Sequence, residues 1–256
     1  TWPLPDAAAL RRGIDLGMTH IDTAEMYGDG ESERIVGNAI AGVPRDALFV
    51  VTKVLPRNAD RAGVARSCEA SLRRLRIDHV DCLLIHWRGS VPLDETMEAL
   101  EAQAAAGKAR SIGVSNFDPW DLREAARALS AQRIACDQVL YNLGQRTVED
   151  HELPWCREQR AALVAYTPLG AKSHYTRSKG AEVLRRVARE RGVDPRAVAL
   201  AFLVREPAVF AIPKASRIEH VEANAAAGDL DLSDEEYAAI DAAFPRRVRK
   251  GPLPTN

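Results

Sequence analysis

Four side chains that can take part in proton transfer follow apolar stretches of this sequence. Asp22 ends one such stretch, and Tyr27 lies five residues further along the chain. Lys53 and His86 end the next two apolar stretches. A carboxylate at the end of a buried strand needs a polar partner. We therefore expect these four side chains to meet at one site.

Together these residues can form a proton donor. A free tyrosine has a pKa of about 10, and a nearby cation lowers that value by about one to three. We expect Lys53 to lower the pKa of Tyr27, Asp22 to hold Lys53 by an ion pair, and His86 to orient a carbonyl group. The set contains no obvious nucleophile, which favours reduction by an external hydride over acyl transfer.

Each residue also has a structural interpretation. Asp22 can cap a turn, Tyr27 can pack on the surface, Lys53 can extend to solvent, and His86 can lie with its hydrogen bonds satisfied. The same pattern at three successive strands favours the functional interpretation.

The elements that carry these residues repeat along the chain. Strand ends fall every 30 to 33 residues, which is the length of one strand–helix unit. Seven strands are predicted, at 18–22, 47–53, 80–86, 110–115, 137–141, 162–166 and 209–212. Helices are predicted before, between and after them, including 149–160 and 233–244, the latter opened by a capping box.

Repeated units of this length form either a doubly wound sheet or an eight-stranded barrel. The doubly wound fold usually carries G-x-G-x-x-G after its first strand, and Gly28-Asp29-Gly30 lacks the third glycine. We therefore predict an α/β fold of the (β/α)8 TIM-barrel class. The barrel's first strand either precedes Thr1 or is missing from the chain.

Composition narrows the classes of function. The chain has 256 residues and a net charge of −1, which suits one domain over residues 1–256 and gives no reason to expect a nucleic-acid partner. No apolar run is long enough to span a membrane, and the start at Thr1 shows no signal peptide, so we expect a cytoplasmic protein. The scattered cysteines and histidines indicate no metal site.

Longer motifs resemble the aldo-keto reductase family over essentially the whole chain. They include Ile21-Asp22-Thr23-Ala24-x-x-Tyr27-Gly28, Val51-Thr52-Lys53, Leu84-Ile85-His86-Trp87, Gly107-Lys108-x-Arg110-x-Ile112-Gly113-Val114-Ser115-Asn116-Phe117, Gln138-Val139-x-Tyr141-Asn142, Ala165-Tyr166-Thr167-Pro168-Leu169 and Ile212-Pro213-Lys214. The resemblance implies a (β/α)8 barrel, an NADPH cofactor bound without a Rossmann domain, and reduction of carbonyl groups to alcohols. It also implies that Asp22, Tyr27, Lys53 and His86 are the catalytic residues, with Tyr27 as the general acid.

The resemblance also implies cofactor contacts. Ser115, Asn116 and Gln138 match residues that bond the nicotinamide carboxamide, Tyr166 matches the ring stacked on the nicotinamide, and Thr167 and Leu169 belong to the same cofactor motif. The segment that resembles the adenosine 2′-phosphate site contains Lys214, Ser216, Arg217, His220 and Asn224. Many members have Arg where His220 stands and Glu where Ala223 stands, so NADPH is expected but NADH stays possible.

The expected substrate is a small aldehyde or ketone. Trp2, Met26 and Trp87 match positions that line the family's substrate pocket, and 245–256 resembles its C-terminal loop, although a basic run there is also typical of a solvated tail. Val139-Leu140-Tyr141-Asn142-Leu143-Gly144 and Leu153-Pro154-Trp155-Cys156 are most similar to bacterial members that reduce reactive aldehydes such as methylglyoxal. Family members are often monomers, and this sequence does not bear on the oligomeric state.

Two other functions are compatible with a barrel. One is a regulatory barrel that binds NADPH and acts through a protein partner, as potassium-channel β subunits do. The other is a metal-dependent hydrolase, which Lys53 and Tyr27 disfavour because they are poor metal ligands.

Overall fold

The computed structural model describes residues 4–170 and 180–255. The chain falls into two compact units, Thr1–Asp137 and Gln138–Asn256. The single-domain organisation stays a prediction. Trp2, expected at the substrate pocket, lies outside the described residues.

The first unit alternates helices and strands. In chain order they are α1 (Ala7–Asp15), β1 (His20–Asp22), α2 (Glu31–Ile40), β2 (Phe49–Val54), α3 (Arg61–Leu75), β3 (Val80–Ile85), α4 (Leu93–Ala105), β4 (Ala109–Ser115), α5 (Pro119–Ala128) and β5 (Ile134–Leu140), whose last three residues belong to the second unit. Short 3-10 helices cover Arg45–Ala47 and Pro56–Asn58.

The described residues of the second unit continue the alternation less regularly. They contain α6 (Glu152–Gln159), β6 (Ala162–Tyr166), α7 (Ala181–Arg191), α8 (Pro195–Leu203), β7 (Val209–Ala211), α9 (Ile218–Ala225) and α10 (Asp234–Ala243). Short 3-10 helices cover Thr147–Glu149 and Ala226–Asp229.

The strand order distinguishes the two predicted architectures. Among the described residues the sheet has seven strands in the order β1-β2-β3-β4-β5-β6-β7, and neighbours such as β1 and β2 or β6 and β7 pair in parallel. A doubly wound sheet reverses its order at a switch point. Consecutive parallel order is instead that of the barrel class, so all seven predicted strands and the predicted α/β class are confirmed.

Local sequence signals set several boundaries correctly. Asp118 caps α5 through its side chain, with Pro119 at the first helical position. Ser233 and Glu236 form the predicted capping box of α10. The predicted helix over 149–160 is wrong at its start, because a 3-10 turn ends at Glu149 and α6 begins at Glu152.

The core of the first unit forms where strands without exposed residues meet helix faces. All six residues of β3 are buried, as are the last five of β2. Helix α2 approaches α3 closely at Gly37, where an added Cβ would lie 2.7 Å from the carbonyl oxygen of Leu75. A backbone atom cannot move aside as a flexible side chain can.

Gly37→Ala should therefore lower the free energy of unfolding. Overpacking costs about 1–3 kcal/mol, and the better helix propensity of Ala returns no more than about 1 kcal/mol. Urea denaturation followed by circular dichroism measures the change. Gly228→Ala is the matched control, since no atom lies within 4 Å of its added Cβ. Equal midpoints for the two variants would contradict the prediction.

Candidate active site

The ammonium group of Lys53 is the centre of the predicted site. Its side chain is completely buried near the end of β2, and Nζ donates to Asp22 Oδ1 at 2.5 Å. Nζ also donates to the Thr23 backbone oxygen at 2.9 Å and to the Tyr27 hydroxyl at 3.5 Å. The three N–H donors of the ammonium group thus have three acceptors. Sequence reasoning missed the Thr23 carbonyl, because a backbone acceptor leaves no mark on residue type.

Parallel pairing explains why Asp22 and Lys53 meet. Asp22 ends β1 opposite Val51 of β2, and Lys53 follows Val51 by two residues on the same face of that strand. The strands are short and consecutive, so their carboxyl ends bring the two charges together.

Tyr27 reaches the site from the loop between β1 and α2. Its backbone N–H donates to the Ala24 oxygen at 3.1 Å, and its carbonyl accepts from Ser32 N at 3.1 Å. Lys53 Nζ lies 5.0 Å from the centroid of the tyrosine ring. The loop therefore presents both the phenol oxygen and the ring to the ammonium group.

The predicted direction of the Tyr27 pKa is wrong. Burial of the phenol raises the pKa of Tyr27 above its ordinary value of 10.0. The charge and hydrogen bond of Lys53 act to lower it, but the negative charge of Asp22 opposes them, and burial prevails. The phenol therefore holds its proton at neutral pH, as a general acid must.

Lys53 stays charged. Burial acts to lower the pKa of Lys53, but the negative charge of Asp22, the interaction with Tyr27 and the hydrogen bonds to both outweigh it, so the pKa is raised. The site consequently contains a fixed positive charge beside a protonated phenol.

His86 directly follows β3 and lies against the tyrosine. The two rings meet edge to face, with centroids 5.6 Å apart. Burial, together with the positive charge of Lys53, lowers the pKa of His86 to about 3. Its imidazole is therefore neutral and can donate one N–H to a carbonyl oxygen.

The end of β4 contacts the loop that carries His86. Asn116 has a positive φ of 60°, which turns the chain sharply after the strand. Its Nδ2 donates to the His86 backbone oxygen at 3.2 Å and to Ser115 Oγ at 3.1 Å. The structure thus brings these two predicted cofactor residues to His86, while their role stays a prediction.

Of the predicted substrate-pocket residues, Trp87 and Met26 are described. Trp87 is 40% exposed, and its ring lies 5.0 Å from that of His86, centroid to centroid. Met26 is half-buried in the Tyr27 loop. An aromatic wall beside His86 suits an apolar group on a carbonyl compound.

In the second unit, the predicted cofactor residues Gln138, Tyr166, Thr167 and Leu169 lie on or after β5 and β6. Gln138 is buried in β5, Tyr166 ends β6, and Leu169 lines a small pocket together with Asn142. Thr167 has a φ of +50°, which is strained for a β-branched residue. Such strain is concentrated at functional sites, and it is a signal that the sequence motif did not show.

The predicted 2′-phosphate segment follows β7. Lys214, Ser216 and Arg217 are exposed, and Arg217 Nε bonds Glu219 at 3.3 Å. Partial burial and the positive charges of Arg196 and Arg217 lower the pKa of His220, which removes a cation that an arginine would supply.

Asn224 of α9 has buried polar atoms in the same segment. It is 5% exposed, and both of its side-chain amide atoms are buried without a partner among the described residues. Buried polar groups in native proteins are nearly always hydrogen-bonded. A ligand with donors and acceptors, such as an adenine ring, would satisfy them.

The described part of the chain contains neither a metal-ligand cluster nor a membrane-spanning helix. Within 4–170 and 180–255, no group of three or more potential metal ligands occurs. No helix in the described part of the chain is long and apolar enough to cross a membrane.

Comparison with known proteins places the chain in a family. A profile of the Aldo/keto reductase family matches residues 6–244. The chain therefore belongs to the aldo/keto reductase family, and it is an oxidoreductase of the α/β-barrel class that the strand order indicates.

Two individual relatives and one solved structure are similar to the chain over most of its length. The methylglyoxal reductase YeaE of Escherichia coli K12 is 43% identical over 94% of this chain and 84% of the relative. The 6-dehydroglucose reductase of Agrobacterium fabrum is 35% identical over 81% of this chain and 76% of the relative. A crystal structure of an aldo/keto reductase from Klebsiella pneumoniae, in complex with NADP and acetate, is 45% identical with a TM-score of 0.92, covering 98% of this chain and 89% of that one.

The neutral state of His86 can be tested directly. In nuclear magnetic resonance spectra of histidine-labelled protein, His86 should show no titration between about pH 5 and pH 8, because its pKa is about 3. The His86→Gln variant assigns the resonance. A midpoint near the ordinary value of 6.5 would contradict the prediction.

Proposed function

We propose that the protein reduces small aldehydes and ketones to alcohols with NADPH, and that Tyr27 is the general acid. The observation that carries this proposal is the phenol oxygen of Tyr27, 3.5 Å from a buried ammonium group that Asp22 holds. Membership of the aldo/keto reductase family supports the same reaction class.

The proton comes from the phenol. When bound, NADPH supplies a hydride to the carbonyl carbon. Tyr27 donates its proton to the carbonyl oxygen and becomes a phenolate, which the positive charge of Lys53 stabilises. The neutral imidazole of His86 donates a hydrogen bond to the same oxygen and aligns it with the phenol.

Each of the two units contains residues that support the assignment of NADPH as the cofactor. In the first, Ser115 and Asn116 lie against the His86 loop. In the second, Gln138, Tyr166, Thr167 and Leu169 follow the family motif, and the buried amide of Asn224 has atoms for a ligand to satisfy. The Klebsiella relative binds NADP.

Preference for NADPH depends on the exposed cations after β7. Lys214 and Arg217, with Ser216, can bind a 2′-phosphate in front of the first turn of α9. The exposed Arg217–Glu219 pair is worth little in water, so a phosphate can displace Glu219. The lowered pKa of His220 leaves its imidazole neutral and so weakens the preference for NADPH. We therefore expect that NADH can also bind.

The proposed substrates are small, reactive carbonyl compounds. The similarity to a methylglyoxal reductase supports 2-oxoaldehydes of that type. Trp87, with Met26 of the same predicted pocket, would contact the group attached to the carbonyl carbon.

A panel of aldehydes and ketones, with methylglyoxal and 4-nitrobenzaldehyde included, tests the function. Consumption of NADPH is followed by its absorbance, for the wild-type protein and for Tyr27→Phe. The variant should lose at least about a hundredfold in kcat, the contribution of a general acid, with NADPH binding unchanged.

Tyr237→Phe is the control, because it removes a phenol hydroxyl from α10 and should keep the wild-type rate. Wild-type kcat in Tyr27→Phe would show that Tyr27 is not the acid. Tight NADPH binding by the wild type without turnover of any carbonyl would favour the regulatory barrel.

Lys214→Ala should weaken binding of NADPH more than binding of NADH, because of the two cofactors only NADPH has the 2′-phosphate that the Lys214 charge would bind. Quenching of protein fluorescence by each cofactor measures the two dissociation constants. Lys250→Ala, which removes another exposed lysine, is the control. An equal loss for both cofactors would show that Lys214 does not recognise the 2′-phosphate.

A further inference from the structure

Glu25 links the two segments that carry the acid and its cation. It lies in the loop after β1, two residues before Tyr27. Its carboxylate oxygen Oε1 accepts hydrogen bonds from the Leu55 backbone N–H at 2.7 Å and from Asn58 Nδ2 at 3.0 Å. Leu55 follows Lys53 by two residues. One carboxylate therefore ties the Tyr27 loop to the chain that leaves β2.

The segment that binds the Glu25 carboxylate is closely packed. Leu55 is buried. Asn58 ends a 3-10 helix, and the backbone N–H of Asn58 donates to the Leu55 backbone oxygen at 2.8 Å. Helix α3 packs against Asn58 so closely that a Cβ at Gly63 would lie 2.5 Å from the Asn58 oxygen. Glu25 is thus held by a segment that packs against α3.

Two other backbone hydrogen bonds of this loop are long, and those of Tyr27 itself, to Ala24 and Ser32, stay within the loop and the first turn of α2. The Glu25 backbone N–H reaches the Lys53 oxygen at 3.4 Å, and Asp29 N reaches the Met26 oxygen at 3.4 Å. The Tyr27 hydroxyl contacts Lys53 Nζ at 3.5 Å, the outer limit of a hydrogen bond. A small displacement of the loop would therefore separate phenol and ammonium group.

We propose that Glu25 is a positioning residue, which holds the Tyr27 hydroxyl within reach of Lys53 by anchoring its loop to Leu55 and Asn58. The effect is geometric, since the charges that act on the Tyr27 phenol are those of Lys53 and Asp22. Glu25 contacts none of the reacting atoms. The inference rests on the proposed reductase function.

The test is kcat for an aldehyde that the wild type reduces, with NADPH affinity measured in parallel. Glu25→Ala should lower kcat about tenfold to a hundredfold, the usual effect of a misplaced group, while NADPH affinity stays unchanged. Glu25→Gln keeps the oxygen that accepts from Leu55 and should restore most of the rate. Glu31→Ala, which among the described residues breaks an exposed pair with Arg34, is the control with wild-type kcat.

A double-mutant cycle separates positioning from general stabilisation. In the Tyr27→Phe background Glu25→Ala should have almost no further effect on kcat, because the hydroxyl that it positions is absent. Losses that multiply would overturn the inference, as would wild-type kcat in Glu25→Ala. If Glu25→Ala does not fold, Asn58→Ala decides: reduced kcat with unchanged NADPH affinity supports the inference, and wild-type kcat overturns it. A wild type that reduces no carbonyl overturns the proposed function instead.

Discussion

The buried ammonium group of Lys53 constrains the whole of the first unit. Removing a charge from water is costly unless it is paired and hydrogen-bonded, and this one is completely buried. Removing one partner of a buried pair costs about 3–5 kcal/mol, a large part of the total stability of about 5–15 kcal/mol of a typical domain. A fold in which Asp22 did not reach Lys53 would therefore lose much of its stability. The requirements of folding and of the proposed chemistry coincide at this pair.

The same burial determines how the acid can work. Lys53 cannot make Tyr27 a strong acid in its resting state, because burial and Asp22 together outweigh the cation. In the proposed reaction, the phenol keeps its proton until a carbonyl oxygen accepts it. Lys53 would then act as the phenolate forms, when negative charge develops next to a cation already in place. A stabilisation that grows along the reaction lowers the barrier, whereas one present from the start does not.

Sequence patterns predicted the elements well because strands and caps depend on local residue type. Continuous apolar runs gave all seven strands, and Ser233 gave the start of α10. The predicted start of β5 at 137 is wrong, since the strand begins at Ile134. A carboxylate such as Asp137 is typical of a strand boundary, but this one is completely buried within the strand. The direction of the Tyr27 pKa could not be predicted, since it is a small balance of opposed contributions. The Glu25 contacts were missed because one of them ends on a backbone N–H, which has no signature in sequence.

Backbone strain gives a further reason why motifs show only part of a site. Asn116 and Thr167 each directly follow a strand and have positive φ angles of 60° and 50°. Asn adopts this conformation readily, but Thr pays about 1–3 kcal/mol for it, and such strain persists only where neighbours hold it. The neighbours are visible here: Asn116 bonds the His86 oxygen, and Asn142 Nδ2 donates to the Thr167 oxygen at 3.2 Å. Asn142 belongs to the same family-like motif as Gln138. Part of that motif therefore acts by holding the chain after β6 in a strained conformation, a role that residue type alone does not show.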